Sequence, residues 1–292
     1  MALDNFLTVL KRIKSVFSEI QDPCQFAYRS GRSVEDAIIT FLENVYEHLD
    51  KPKSFCRILF VDFSSAFNTI NASILVKRLK DMNINSNLIA WIYDFLTDRT
   101  QYVKFQGCVS DVISTYTGSP QGCVLSPVLF TIYTNECRIN EINVKLLKFA
   151  DDSCIQGFIS EASDNLDYKN SVDWFSNWCD INKLLLNTDK TKELVIDHRI
   201  NKEPIEPLKI KGKTIEQVEL YIYLGITIDN QLNWDAHALS VLNKVNKRLY
   251  FLRKLGSFQI DFTIMSLFYT SVIESVLTFC IIGWGGQYYY KE

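Results

Sequence analysis

Three carboxylates stand directly after predicted strands of this chain. Asp151 and Asp152 are neighbours that follow the apolar run 145–150, and Asp62 follows the apolar run 55–61. Turns often contain Asp for local hydrogen bonding, so the Asp-Asp pair alone is weak evidence for a site. Like charges that converge at strand ends repel one another, and a divalent cation is the natural partner that neutralises them. Two Mg²⁺ ions held by such carboxylates stabilise the attacking and leaving oxygens of a phosphoryl displacement.

The elements that position these carboxylates are predicted from apolar periodicity. Apolar runs and alternation predict strands at 55–61, 145–150, 154–159, 193–197, 208–213 and 218–229, and a hairpin of 101–106 with 112–116 around Gly107-Cys108. Helical spacing predicts helices at 3–17, 34–49 with Ser33 as N-cap, 71–80, 86–97, 124–133, 163–179, 236–255 and 262–279. The chain is therefore expected to be mixed α/β to about residue 230 and helical beyond it, without a flexible linker.

Two of these helices carry predictions about which face is buried. Trp174 and Trp178 lie on one face of the helix 163–179. The apolar face of the helix 236–255 is predicted to consist of Leu239, Leu242, Val245, Leu249 and Leu252, with Gly256 ending the helix.

Composition sets limits on the class of protein. The chain has 292 residues, 47% of them hydrophobic, and a formal net charge of −3, which counts mildly against a nucleic-acid-binding protein. The eight cysteines form no CxxC pair, so neither a zinc site nor a disulfide partner is expected. The apolar stretch 272–284 contains Glu274 and is predicted to be too short to span a bilayer. The N-terminus has no signal-peptide pattern. We therefore expect an intracellular protein without a membrane partner, and the choice between nucleus and cytoplasm stays open.

Five blocks of the sequence resemble reverse transcriptases of non-LTR retrotransposons and occur in the same order. They are RILFVDFSSAFNTI (57–70), GSPQGCVLSPVLF (118–130), KFADD (148–152), LLLNTDKTKELVI (184–196) and YLGITI (223–228). CQFAYRSGRSVEDAI (24–38) resembles the preceding finger block, and NKVNKRLYFLRKL (243–255) and FYTSVIESVLTFCIIGWGG (268–286) are similar to the thumb. One block alone would be ambiguous, whereas five in order make coincidence very improbable.

This resemblance implies an α/β (α+β) fold, namely a right-hand polymerase palm with an antiparallel sheet and helices, partial fingers and a helical thumb. Residues 1–23 are interpreted as an N-terminal helix not matched to the family, 24–230 as fingers and palm, and 231–292 as thumb. The implied activity is that of an RNA-directed DNA polymerase with two Mg²⁺ ions. Its implied partners are an RNA template, a DNA primer and dNTPs.

The resemblance also implies roles for individual residues. Asp62, Asp151 and Asp152, with the backbone carbonyl of Phe63, would bind the metal ions. Phe67 would exclude a ribose 2′-hydroxyl by steric clash. The remaining assignments are Gln121 and Gly122 against the incoming nucleotide and template, Lys190 near the pyrophosphate, Tyr223, Leu224 and Gly225 as primer grip, and Lys244, Lys247 and Arg248 on the duplex backbone. As a core Phe or a surface lysine in a turn, Phe67 and Lys190 would be unremarkable.

The sequence also departs from the family pattern. An Arg-Pro finger block is expected ahead of the position of Cys24, and MALDNFLTVL does not match it. Arg29 and Arg32 could supply finger charge instead. The alternative to an active polymerase is therefore a catalytically inactive retroelement remnant that at most binds nucleic acid.

Overall fold

The computed structural model describes residues 2–286, and the side chains of residues 6–286. Residue 1 of the predicted N-terminal helix and residues 287–292 of the predicted thumb lie outside the described residues. The helices are α1 Ala2–Ile20, α2 Val34–Leu49, α3 Ala72–Asp81, α4 Ser86–Leu96, α5 Ser126–Tyr133, α6 Ala162–Ile181, α7 Asp235–Ser257, α8 Phe262–Phe268, α9 Ser275–Thr278 and α10 Ile281–Trp284. The strands are β1 Phe55–Val61, β2 Arg99–Gln101, β3 Lys104–Phe105, β4 Cys108–Val109, β5 Ile113–Thr115, β6 Val144–Phe149, β7 Asp152–Ile159, β8 Lys192–Ile196, β9 Lys209–Ile210, β10 Lys213–Thr214, β11 Glu216–Val218, β12 Leu220–Tyr223 and β13 Ile226–Asp229.

A five-stranded sheet organises the first part of the chain. Its strand order is β11-β8-β1-β7-β6, with β1 antiparallel to both β7 and β8. All seven residues of β1 are buried, as its continuous apolar run predicts for a strand covered on both faces. Beyond β6, an isolated parallel bridge between Gln25 and Lys148 extends the sheet edge. We call everything from α1 to β13 the sheet region.

Each face of the sheet supports its own apolar core. On one face, Leu59, Leu146 and Ile155 pack with residues of α3, α4, α5 and α6. On the other face, Ile58, Phe60 and Cys154 pack with α2 and with the β12–β13 hairpin. The sequence starts α2 sharply, because the Ser33 hydroxyl accepts a bond from the Asp36 N–H and the Asp36 carboxylate accepts one from the Ser33 N–H. The predictions of strand 55–61 and of Ser33 as the N-cap of α2 are both confirmed.

Helices α7 to α10, which we call the C-terminal helices, have a much smaller core. Val241, Val245 and Ile273 are its buried members. The predicted apolar face of α7 is wrong at Leu239 and Leu242, which are 61% and 54% exposed. The helix instead turns the face with Val241 and Val245 inward, with Leu249 and Leu252 partly buried. Gly256 lies inside the last turn, and the helix ends at Ser257.

The last helices form a longer apolar segment than the sequence suggested. By length and composition, Phe262–Trp284 is long enough to cross a membrane, so the prediction based on 272–284 underestimated it. Length and composition are criteria that helices of soluble proteins also meet. The segment includes a π-helical turn at Tyr269–Glu274 and is interrupted at Cys280, whose φ is 51°.

Two further predictions differ in detail. The predicted strand 218–229 is divided: Val218 ends β11, and 220–229 is the hairpin β12–β13, because Leu224 and Gly225 both adopt positive φ (46° and 95°) in a two-residue turn. Trp174 is 41% exposed, whereas Trp178 packs against the core. The eight cysteines are all free.

Candidate active site

The β6–β7 hairpin places Asp151 and Asp152 at one end of the sheet. Phe149 and Asp152 form its closing pair, so Ala150 and Asp151 are the two turn residues. Ala150 has φ 57°, a left-handed conformation that non-glycine residues seldom adopt. Val61 of β1 pairs with Ser153 of β7, so the next position in this antiparallel register places Asp62 beside Asp152. The strand pairing therefore brings the three predicted carboxylates to the same end of the sheet.

The three carboxylates share a negative field. None of them forms an ion pair with another residue of the described part of the chain. The pKa of Asp152 is raised, first by partial desolvation and then by the charges of Asp151 and Asp62. Burial raises the pKa of the Tyr221 hydroxyl, and the charges of Asp152 and Asp62 raise it further. The absence of an ion pair to these carboxylates within the described residues is expected where bound cations supply the balance of charge.

The donor set fits a divalent cation that also takes oxygens from a substrate. Within residues 6–286, no three His, Cys, Asp or Glu side chains are grouped closely enough to hold a metal ion by themselves. Mg²⁺ commonly binds one or two carboxylates together with waters and substrate phosphates, and it does not require an all-protein cage. Around Phe63, Asn187 N–H donates to the Asp62 carbonyl (2.9 Å) and Ser64 N–H to the Leu185 carbonyl (2.8 Å). This pairing leaves the Phe63 carbonyl outside the ladder.

Phe67 and the loop 118–122 are joined by backbone hydrogen bonds. Ser119 N–H donates to the Phe67 carbonyl and Gly118 N–H to the Ile70 carbonyl, each at 2.8 Å. Gly118 has φ +80°, and a Cβ there would lie 2.7 Å from the Asn68 Cα, so only glycine fits this close crossing. The Phe67 ring packs on Phe130 with centroids 4.9 Å apart.

The same loop borders an open cavity. The cavity has a volume of about 720 Å³ and is lined by Asn68, Arg99 and Gln121 among other residues. Gln121 and Gly122 are both exposed. The guanidinium of Arg99 donates to the carbonyls of Thr117 (2.6 Å) and Gly118 (2.9 Å) and so supports the start of the loop. Sequence reasoning missed Arg99, because it lies outside the recognised blocks.

Lys190 lies in a turn that is bonded to Asp62. The Asp62 N–H donates to the Thr191 hydroxyl (3.3 Å), and the Asp62 carbonyl accepts from the Asn187 N–H (2.9 Å). The Lys190 side chain is exposed. The structure therefore brings the turn of Lys190 next to the first carboxylate, although the two blocks are far apart in sequence.

The predicted primer-grip residues lie in different environments. Tyr223 is only 3% exposed and packs on Phe41 and Phe60 (5.1 and 5.3 Å between centroids), so its side chain cannot contact a primer. Leu224 is half-buried, and Gly225 is exposed at the tip of the turn. Tyr221, which sequence reasoning missed, stacks on Phe60 at 3.9 Å and faces the field of the carboxylates. The alternation in Tyr-Ile-Tyr, which puts 221 and 223 on one face, was the available signal.

The predicted duplex-contacting cations all lie on α7. Lys244 and Lys247 are exposed. The guanidinium of Arg248 donates to the Val272 carbonyl and so ties α7 to the following helical segment. Arg248 is therefore engaged within the C-terminal helices, unlike the two lysines.

A known family matches most of the chain. The profile of the family "Reverse transcriptase (RNA-dependent DNA polymerase)" matches residues 7–228. The match begins inside α1, so it takes in most of the helix that the sequence analysis had placed outside the resemblance. A second profile, "Alkylated DNA repair protein alkB homolog 8, N-terminal", matches the short stretch 234–275, which is too little of the chain to show a family.

Curated relatives cover most of this chain. A probable RNA-directed DNA polymerase from transposon BS of Drosophila melanogaster is 24% identical over 259 residues, which are 85% of this chain and 28% of that protein. The RNA-directed DNA polymerase from mobile element jockey of Drosophila funebris is 26% identical over 235 residues, which are 77% of this chain and 25% of that protein. The chain thus spans about a quarter of the length of the curated relatives it matches.

Solved structures share the fold. Apo telomerase from Candida tropicalis superposes with a TM-score of 0.51 at 15% identity, over 78% of this chain and 39% of that chain. A version truncated from the C-terminal domain gives 0.50 at 16% identity, over 76% of this chain and 43% of that chain. At such identities the likeness concerns the fold alone, and it confirms the predicted right-hand polymerase architecture. Since the family profile covers well over half of its residues, the chain belongs to the reverse transcriptase family, of the non-LTR retrotransposon type that its ordered blocks predicted.

Proposed function

We propose that this chain extends a DNA primer on an RNA template, with dNTPs as substrates and two Mg²⁺ ions as cofactors. The observation that carries the proposal is that Asp62, Asp151 and Asp152 share one end of the sheet and that none of them forms an ion pair with a residue of the described part of the chain. Mg²⁺ bound there, with the Phe63 carbonyl as a further ligand, would favour loss of the primer 3′-hydroxyl proton and offset the charge on the triphosphate.

The chain's own residues would select and hold the substrates. Phe67 would close the space that a ribose 2′-hydroxyl needs, because its ring is held by Phe130 and its carbonyl by the loop 118–122. Gln121 and Gly122 would lie against the incoming nucleotide and the template. Lys190 would approach the pyrophosphate from the turn bonded to Asp62.

The remaining contacts would follow the nucleic acid away from the carboxylates. The hairpin tip at Leu224 and Gly225 would support the primer end, with Tyr223 as its buried anchor. Lys244 and Lys247 would contact phosphates of the duplex, because they are exposed cations on α7. Arg248 would act indirectly, through its bond to the Val272 carbonyl.

Primer extension tests the proposal. Wild-type chain and the double variant Asp151→Asn/Asp152→Asn are compared on an oligo(dT)-primed poly(rA) template with dTTP and Mg²⁺. The control is Asp173→Asn/Asp180→Asn, which removes the same charge from two exposed positions on α6. We expect the control to match wild type and the site variant to lose at least about 10³-fold in rate, equivalent to about 4 kcal/mol of barrier.

The alternative reading predicts a different result. If folded wild-type chain binds the duplex but extends no primer with either Mg²⁺ or Mn²⁺, the polymerase proposal is wrong. The chain would then be an inactive retroelement remnant that retains nucleic-acid binding.

A further inference from the structure

The segment Asp22–Ala27 is bonded along the outer edge of β6, the strand that leads to the carboxylate turn. Phe26 N–H donates to the Lys148 carbonyl and Lys148 N–H donates to the Cys24 carbonyl, both at 2.9 Å. In sequence this segment belongs to the finger-like block, more than a hundred residues ahead of the turn. In space it is an additional edge of the sheet.

The side chain of Gln25 reaches from this edge to the turn itself. Gln25 is 2% exposed, and its Oε1 accepts hydrogen bonds from the N–H of Ala150 and the N–H of Ala27, each at 3.1 Å. Ala150 immediately precedes Asp151 and holds the positive φ of the turn. A buried backbone N–H needs a partner, and a residue in the left-handed region stays there only when its surroundings hold it.

A buried ion pair anchors the base of the same segment. The Lys148 Nζ lies 2.6 Å from the Asp22 carboxylate, and the two side chains are 3% and 4% exposed. Lys148 Nζ also donates to the carbonyls of Thr134 (2.9 Å) and Cys137 (2.8 Å), just after α5. The segment is therefore fixed at its start by the Asp22–Lys148 ion pair and joined to the carboxylate turn by the bond between Gln25 and the Ala150 N–H.

We propose that Gln25 is a positioning residue for the metal-binding turn. Its Oε1 accepts the bond from the Ala150 N–H and thereby sets the direction in which the Asp151 and Asp152 side chains project from the turn. The inference rests on the proposed function for the identity of the bound cation. It assigns to the finger-like block a role within the carboxylate site, separate from any contact of Arg29 or Arg32 with a triphosphate.

The test removes the acceptor and keeps the side-chain length. Gln25→Met is compared with Gln156→Met, which removes a buried amide from β7 that bonds to Phe41 and Asn44 and does not contact the turn. Gln25→Glu keeps an acceptor oxygen at position 25. Each variant is measured by hydrogen exchange at the Ala150 amide, by Mn²⁺ affinity from electron paramagnetic resonance, and by kcat and duplex Kd in primer extension.

We expect Gln25→Met to exchange the Ala150 amide at least about tenfold faster than wild type, because the amide loses its partner. Its Mn²⁺ affinity should fall about 10- to 100-fold, as for lost partners of metal ligands, and kcat should fall with it while duplex Kd is unchanged. Gln156→Met should change neither exchange at Ala150 nor Mn²⁺ affinity. Gln25→Glu should recover the protection of the Ala150 amide.

Two outcomes would overturn the inference. One is wild-type exchange and wild-type Mn²⁺ affinity in Gln25→Met. The other is an equal change in Gln25→Met and Gln156→Met, since this would mean a general loss of packing. Exchange and Mn²⁺ binding require no turnover, so a wild-type chain that binds Mn²⁺ without extending a primer would refute the polymerase proposal and leave the role of Gln25 standing.

Discussion

The sheet region and the C-terminal helices are both rich in apolar residues but bury them very differently. In the sheet region, every residue of β1 is buried, and even the charged Arg57 and Glu193 are fully enclosed and paired. The C-terminal helices' own core has three buried apolar side chains, Val241, Val245 and Ile273, while Cys280 is buried in the core of the sheet region. Large apolar residues there face outward, among them Leu239, Leu242, Tyr250, Phe251, Phe258, Phe262, Ile264, Leu267 and Ile282.

This difference has consequences for how each region holds its functional residues. Strand pairing and the two apolar cores fix the positions of the three site carboxylates in the sheet region. Helices with few buried contacts have low local stability and open readily. We therefore expect substitutions to be severe in the sheet region and mild in the C-terminal helices, and the following predictions test that contrast.

The largest effect is expected from Glu193→Ala. Glu193 accepts two bonds from the Arg57 guanidinium (3.0 and 3.1 Å), one from the Tyr168 hydroxyl (3.1 Å) and one from Gln217 (2.9 Å). Its removal leaves Arg57 buried without its counter-charge, which typically destabilises a protein by about 3–5 kcal/mol. Urea unfolding measures this loss. The matched substitution Glu274→Ala, at an exposed site in the C-terminal helices, should stay within about 0.5 kcal/mol of wild type; equal losses would contradict the contrast.

Alanine substitutions at two glycines are expected to change stability by intermediate amounts and with opposite signs. A Cβ on Gly157 would lie 2.4 Å from the Tyr168 ring, which is itself held by Glu193 and Arg57, so Gly157→Ala should cost about 1–3 kcal/mol. On α7, a Cβ on Gly256 meets the flexible end of Met265 at 3.3 Å. Gly256→Ala should therefore stabilise the chain by about 0.5–1 kcal/mol, because alanine favours the helix. Thermal unfolding of both variants measures the sign of each change in stability. A stabilising effect of Gly157→Ala would contradict the contrast between the two regions.

The smallest effect is expected where the two regions meet, at His237. Its Nδ1 accepts a bond from the Thr227 N–H of β13 (3.1 Å), and its ring packs on Trp284 (5.0 Å between centroids). Burial lowers the pKa of His237, and the charge of Lys244 lowers it further. Because the folded pKa lies below the unfolded one, the contribution of His237 is present above about pH 6.5 and is lost as the pH falls towards the folded pKa.

Hydrogen exchange in α7 between pH 7.5 and pH 5 measures this loss, after correction for intrinsic rates. Wild type should lose protection in α7 as the pH falls below about 6.5. His237→Asn keeps an acceptor that does not titrate, so it should remove most of the pH dependence in α7. His48, which is buried in α2 with a pKa lowered first by burial, should still make the sheet region pH-dependent in both proteins. An unchanged profile in His237→Asn would show that His237 does not control the junction.

Local patterns predicted the elements well where one feature dominated. The near-continuous apolar run of β1, Ser33 as the N-cap of α2 and the Asp-Asp turn were all predicted, because each depends on residues close in sequence. The inward face of α7 was predicted wrongly at Leu239 and Leu242, because apolar residues surround that helix and periodicity cannot select among them. The mildly acidic composition averages over the whole chain and therefore does not report basic positions such as Lys244 and Lys247, which lie on one helix.

The partners of the site residues could not be predicted in the same way. The hairpin of Tyr223, Leu224 and Gly225 was predicted as the primer grip, and nothing in the sequence indicated that the Tyr223 side chain is buried against Phe41 and Phe60. Gln25 and Arg99 support the turn and the loop from segments that no local pattern links to them. Tyr221 has a signal in its alternation with Tyr223, but only the stacking on Phe60 shows that it lies beside the carboxylates.

By itself, the sequence determined the family, the order of the elements and the identity of the three carboxylates, because ordered blocks and short-range periodicity are properties of the chain alone. Only the tertiary structure decided which residues support those carboxylates and which predicted contacts are buried. The physical reason is that strand register and packing join residues such as Gln25 and Ala150, or Arg57 and Glu193, across more than a hundred positions of the chain. No local preference encodes such pairs, and they form only when the sheet and its two cores assemble.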